Sequence, residues 1–183
     1  MALITRRRAL AAGTLTAGLA TRKLRAQEHL PPLSRVLKPI NPPEDLPIIT
    51  FYAADGTPHR LAEFAGHGMV INCWATWCAP CVAEMPALAA LSKALAPDDI
   101  AVLPLSSDRG GAKTVTAWFS AHEISGLPVL LDPHGSAAEA LQARGIPITV
   151  IVNRHGLLCA RLEGAADWSD PDALALVRRL AQS

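Results

Sequence analysis

Aromatic side chains make up only 4% of these 183 residues, and a single one of them is tyrosine. A surface that stacks nucleic-acid bases needs more of them. Charge of one sign is also missing. The formal net charge is +1, and the cationic residues gather near the N-terminus, so no electrostatic partner such as nucleic acid is indicated. No apolar run reaches the roughly 20 residues that a membrane-spanning helix needs. A second close cysteine pair is absent, Cys73 and Cys159 stand alone, and the six histidines show no ligand spacing. A four-ligand zinc site is therefore not read, and no cofactor is called for. No internal repeat is evident.

Half of the residues are apolar and 18% are charged, which suits one ordinary domain with a sizeable core and a tail. The tail reads as an export signal over residues 1–26. "TRRRAL" (5–10) is its basic region, "ALAAGTLTAGLA" (9–20) a small-residue apolar stretch, and "LRAQ" (24–27) offers a cut after Ala26. The paired arginines resemble a twin-arginine signal. This predicts a periplasmic location, with an uncleaved membrane-associated N-terminus as the other reading; either way the domain faces an oxidising compartment. Residues 27–45, rich in proline and without hydrophobic period, read as an extended linker, and the domain proper as 46–183.

Within the domain strands and helices alternate. "PIITFYA" (47–53) reads as a strand, "ADGTPHRLAEF" (54–64) as a turn into a short helix, and "MVINCW" (69–74) as a central strand buried on both faces. Residues 79–96 carry Met85, Leu88, Leu91 and Leu95 at helical spacing, with Pro86 expected to kink the helix. A strand over 100–107, a helix over 112–123, a short strand over 127–132 and a helix over 136–143 follow. A buried strand over 148–153 then turns at "NRHG" into 157–164. A helix over 170–182 closes the chain, with Asp170 as its cap and Pro171 at its first position. The pattern predicts an α/β fold, a central mixed β-sheet flanked by helices.

Chemistry concentrates in "WCAPC" (77–81). Cys78 falls where the buried strand gives way to a helix, whose free N–H groups and partial positive charge favour a thiolate. Cys81 lies about one turn further in, close enough for a disulfide. Cys78 is the natural attacking sulfur and Cys81 the resolving one. Pro80 sits in the first turn, where its missing N–H does no harm. Glu84, one more turn along the same face, is placed to take and return the proton of Cys81, or else is a solvent-exposed helical glutamate. A purely structural bridge across two intervening residues closes too small a loop to stabilise much.

"WATWCAPCVAEMPAL" (74–88) together with "RGIPITVIVNRHG" (144–156) resembles the thioredoxin superfamily, and within it the exported TlpA/ResA-like (CcmG/DsbE-related) thiol–disulfide oxidoreductases. The likeness extends through 129–147 and 163–180. It implies a thioredoxin-like fold with an N-terminal extension and a cis bond between Ile146 and Pro147. In such proteins the cis-proline packs beside the thiol pair, keeps metal out, and exposes backbone that pairs with an extended client peptide. Trp77, Pro80 and Ile146 are then the substrate-facing residues, while Trp74 is core. Cytosolic thioredoxin has a buried aspartate where this chain has Asn72; the TlpA/ResA-like relatives share that departure and carry a glutamate at the position of Glu84, which implies that Glu84 handles the proton. The same fold would set the strands of Cys73 and Cys159 roughly 10 Å apart, too far for a disulfide, and leave both as buried free thiols.

The function implied is a periplasmic protein-disulfide reductase, monomeric, using the Cys78–Cys81 dithiol. Its clients would be proteins with oxidised cysteine pairs, in cytochrome c or cytochrome oxidase biogenesis, and its electron donor a membrane thiol carrier of the CcdA/DsbD type. Two alternatives stand beside it. One is a peroxiredoxin-like thiol peroxidase, for which Thr76 would have to serve beside Cys78. The other is a copper-delivery protein with Cys78 and Cys81 as soft ligands, for which His134 and His155 are poor third ligands.

Overall fold

The computed structural model describes residues 30–183; the signal read at 1–26 lies outside the described residues. The chain runs through α1 (Leu33–Val36), β1 (Lys38–Asp45), β2 (Thr50–Ala53), β3 (Pro58–Arg60), a 3-10 turn (Leu61–Phe64), β4 (Gly68–Trp74) and α2 (Ala79–Leu95). It continues as β5 (Ile100–Ser106), α3 (Gly111–Ala121), β6 (Leu130–Leu131), α4 (Ser136–Ala140), β7 (Ile148–Val152), β8 (Leu157–Glu163) and α5 (Ala173–Ala181). The eight strands form one mixed sheet in the order β1-β8-β7-β4-β5-β6-β2-β3.

β4 lies at the centre, and Asn72 is its one strongly polar side chain. It pairs parallel with β5 and antiparallel with β7, and all seven of its residues are buried. The two-residue period divides its side chains between layers. Val70 and Trp74 pack with Met85, Leu88, Leu91 and Leu95 of α2 and with Val177 and Ala181 of α5. Met69, Ile71 and Cys73 face the opposite layer, with Leu61, Ala137 and Leu141. β7, "ITVIV", is composed of β-branched residues throughout and is equally buried. Asn72 of β4 stands opposite Thr149 of β7 in register, so both point into the α2 layer. At the other end of β4, Gly68 lets α5 approach closely: a Cβ there would lie 2.7 Å from Ala181 Cβ and 2.9 Å from its carbonyl oxygen.

Two expectations need correction. The segment read as a linker is part of the fold: β1 pairs antiparallel with β8, and the ladder breaks between Pro39 and Glu44, where Pro42 and Pro43 have no N–H to give. An edge strand tolerates that composition, which is why it resembled a linker. The last helix begins at Ala173 rather than at Asp170; the Asp170 carboxylate accepts from the Ser34 hydroxyl at 3.0 Å with one oxygen and from the Asp172 N–H at 3.3 Å with the other, tying α1 to the turn before α5. Pro86 lies inside α2, with its ring on the exposed side.

Candidate active site

Cys78 is the N-cap of α2, and its sulfur accepts the Cys81 N–H at 3.3 Å. Cys78 and Cys81 form a disulfide with Cα atoms 5.2 Å apart. Cys78 is 6% exposed and Cys81 0%, so an incoming partner meets the first sulfur only. Pro80, in the first turn, is exposed. The Ile146–Pro147 bond is cis, and the Ile146 carbonyl oxygen lies 3.7 Å from the Cys78 sulfur. Trp77, immediately before the pair, is 70% exposed, a large apolar surface beside the reactive sulfur. Trp74 is core, stacked on Phe119 with ring centres 5.6 Å apart.

The loop from Trp74 to Cys78 is held from below by a residue the motif did not flag. Asp108, buried after β5, accepts the Thr76 N–H at 2.9 Å, the Thr76 hydroxyl at 2.6 Å and the Ser106 hydroxyl at 2.8 Å. Its neighbour Ser107 donates its N–H to the Trp74 carbonyl at 3.0 Å. "SSD" (106–108) at the end of a strand reads as ordinary loop chemistry, with no spacing that ties it to the cysteine motif.

Glu84 is fully buried, not solvent-exposed. One carboxyl oxygen accepts from Asn72 Nδ2 at 2.9 Å; the other accepts from the Ala166 N–H at 3.1 Å and the Trp168 indole N–H at 3.0 Å. Asn72 Nδ2 also donates to Thr149 Oγ1 at 2.9 Å. Burial pushes the Glu84 carboxyl from 4.5 up to about 7, against the pull of these donors. Ala166, Trp168 and Thr149 come from segments more than 60 residues away in sequence, and no local spacing connects them to Glu84. Cys73 and Cys159 are buried free thiols on β4 and β8, with β7 between them, and burial pushes the Cys73 thiol up to about 12. Among the described residues, no three His, Cys, Asp or Glu side chains cluster as a metal site, and no helix is long and apolar enough to cross a membrane.

The chain has clear relatives. The thioredoxin-like protein YneN of Bacillus subtilis is 30% identical over 117 residues, which cover 63% of this chain and 67% of that protein. The thiol–disulfide oxidoreductase ResA of Geobacillus thermodenitrificans is 26% identical over 116 residues, covering 63% and 66%. The chain thus spans about two thirds of the length of these relatives. Among solved structures, the exposed lipoprotein thioredoxin Etrx1 of Streptococcus pneumoniae superposes with a TM-score of 0.60 at 25% identity, over 73% of this chain and 99% of that one. The sequence profile of the AhpC/TSA family matches residues 43–161, more than half of the chain, and this chain belongs to that family, with thioredoxin-like relatives and a thioredoxin-like fold.

Proposed function

We propose that this chain is a thiol–disulfide oxidoreductase that works as a reductase on client proteins in an exported, oxidising compartment. The observation that carries the reading is the seat of Cys78: a sulfur capping a helix, bonded to a partner 5.2 Å away and flanked by exposed Trp77 and the Ile146 carbonyl. In the reduced protein the Cys78 thiolate attacks one sulfur of a client disulfide. A Cys78–client bond forms, and the client's second sulfur leaves as a thiolate. Cys81, its proton passed to Glu84, then attacks the Cys78 sulfur. The Cys78–Cys81 bond forms, the client's first sulfur leaves, and two electrons have moved to the client. Glu84 returns its proton to the departing thiolate. Trp77, Pro80 and Ile146 bear the client segment, with Pro147 fixing the Ile146 carbonyl beside Cys78. A membrane thiol carrier of the CcdA/DsbD type restores the dithiol, and the clients are cysteine pairs of apocytochrome c or of cytochrome oxidase assembly.

Relatives named thiol–disulfide oxidoreductase and an exposed lipoprotein thioredoxin support both the chemistry and the compartment. The peroxidase alternative loses ground, because the Thr76 hydroxyl it would need beside Cys78 is donated to Asp108. Trapping tests the proposal. A Cys81→Ser variant expressed with its own leader should accumulate mixed disulfides on Cys78, and mass spectrometry of them identifies the clients. Exported variant that carries no client would sink the exchange mechanism. Equilibration with glutathione should give a potential below about −150 mV, and a higher value would reverse the direction.

A further inference from the structure

Glu84 is buried and accepts three hydrogen bonds: two donors hold Oε2 and one holds Oε1. The Trp168 indole and the Ala166 amide can only donate. Oε2 must therefore accept from them whether the carboxyl is ionised or not, and a proton arriving on Glu84 has to sit on Oε1. The partner there is Asn72. As placed, its Nδ2 gives one hydrogen to Glu84 Oε1 and the other to Thr149 Oγ1, both at 2.9 Å, while its Oδ1 is buried without a partner. That arrangement suits a carboxylate. With a protonated carboxyl it would set an O–H against an N–H. A half-turn of the Asn72 amide removes the conflict, because Oδ1 has two lone pairs and accepts from the Glu84 O–H and from the Thr149 O–H together.

We propose that Asn72 and Thr149 form a proton-following switch for Glu84, reversing their hydrogen bonds when Oε1 gains or loses its proton, while Trp168 and Ala166 are a fixed clamp on Oε2. All are positioning residues. The purpose of the switch rests on the reading that Glu84 handles the Cys81 proton: the S–H bond breaks, an O–H forms on Oε1, and that O–H later breaks as the client thiolate is protonated. Its geometry does not depend on that reading. The groups that bond Glu84 bring no further charge. Asn72 of β4, Thr149 of β7, Ala166 and Trp168 carry none, and the one carboxylate of the 166–168 loop, Asp167, accepts from the Ser169 N–H at 2.9 Å. Cys78 and Cys81, which share the layer, are bridged here. Arg178 of α5 pairs with Asp98, and Asp170, before α5, bonds Ser34 of α1. Burial is the leading influence on the carboxyl.

The test follows the Glu84 side-chain carboxyl and the Asn72 side-chain amide by NMR in the oxidised, isotope-labelled protein from pH 5 to 9. The Asn72 amide protons should move upfield as pH falls, with the same midpoint as Glu84, because protonation of Oε1 takes both acceptors from Nδ2. Glu84→Gln, whose amide imitates the protonated acid, should hold Asn72 in the turned position at every pH. Trp168→Phe removes a donor that favours the charged form, so it should raise the Glu84 midpoint by about one pH unit or more. Thr149→Val removes a partner common to both states and should shift the midpoint much less. Asn72 resonances that ignore the Glu84 titration, a Glu84 carboxyl that stays in one state across the range, or equal shifts in the two variants would each overturn the switch. If Trp168→Phe fails to fold, the Asn72 resonances of the unaltered protein decide alone. A switch that behaves as expected while Glu84→Gln leaves client exchange and its pH profile unchanged would retain this inference and remove the proton-handling role.

Discussion

At the scale of single residues, Glu84 joins the chemistry to the stability of the protein. In the unfolded chain its carboxyl loses its proton near pH 4.5, but in the folded protein near pH 7, because burial disfavours the charge. Between those values the folded state holds the extra proton, so stability is fully present below the lower value, falls as pH rises through the window, and levels off above it. The loss is on the order of 3 kcal/mol if the whole shift is realised. Glu84→Gln removes that dependence: urea unfolding at pH 5 and pH 8 should show the stability difference between variant and parent moving in the variant's favour at pH 8 by that order. Parallel behaviour at the two pH values would mean that Glu84 is not held protonated. Glu84 is legible in the chain through its place one turn past Cys81, and Cys78 through the strand-to-helix junction. It concealed Trp168 and Asp108, because a hydrogen bond formed across the fold leaves no periodic trace in the chain.

Elements were legible where burial imposes a period and illegible where it does not. β4, α2 and β7 lie in the core and announced themselves by continuous or helically spaced apolar residues. β1, mostly exposed and interrupted by prolines, has no such pattern, so its pairing with β8 could not be read from composition. The start of α5 is offset for a related reason: Asp170 and Pro171 are good helix-starting residues, yet the Asp170 carboxylate closes the turn ahead of the helix, with Ser34 on one oxygen and the Asp172 N–H on the other. Contact between elements also makes Gly68 irreplaceable. A methyl group there meets Ala181 backbone at 2.9 Å, so Gly68→Ala must push α5 off the sheet, at about 1–3 kcal/mol. Because Gly68 starts β4 and Cys78 follows its far end, urea midpoints should fall while the rate of disulfide exchange at 25 °C stays near that of the parent. An unchanged midpoint would show that α5 gives way freely.

For the molecule as a whole, the order of strands decides what its two spare thiols can report. With Cys78 and Cys81 bridged, Cys73 and Cys159 are the remaining thiols, and β7 keeps their strands apart. Cys73 sits in the regular core of the sheet, opposite Leu105 on one side and Ile148 on the other. Its thiol, pushed up to about 12, has almost no thiolate at neutral pH, so alkylation requires the sheet to open. Cys159 is less well held. The β7–β8 ladder slips between Ile151 and Val152, leaving Cys159 as the extra residue between Leu158 and Ala160, and its sulfur contacts Ser183 3.8 Å away. Local opening at that bulge needs less free energy than opening the sheet centre. In the oxidised protein at pH 8, iodoacetamide should therefore modify Cys159 first. Cys73 should follow only at a rate suppressed by about a thousandfold or more relative to the unfolded chain, tracking global stability as urea is added. Equal rates at the two positions would mean that β8 and β4 open together and that the slipped ladder is no weak point.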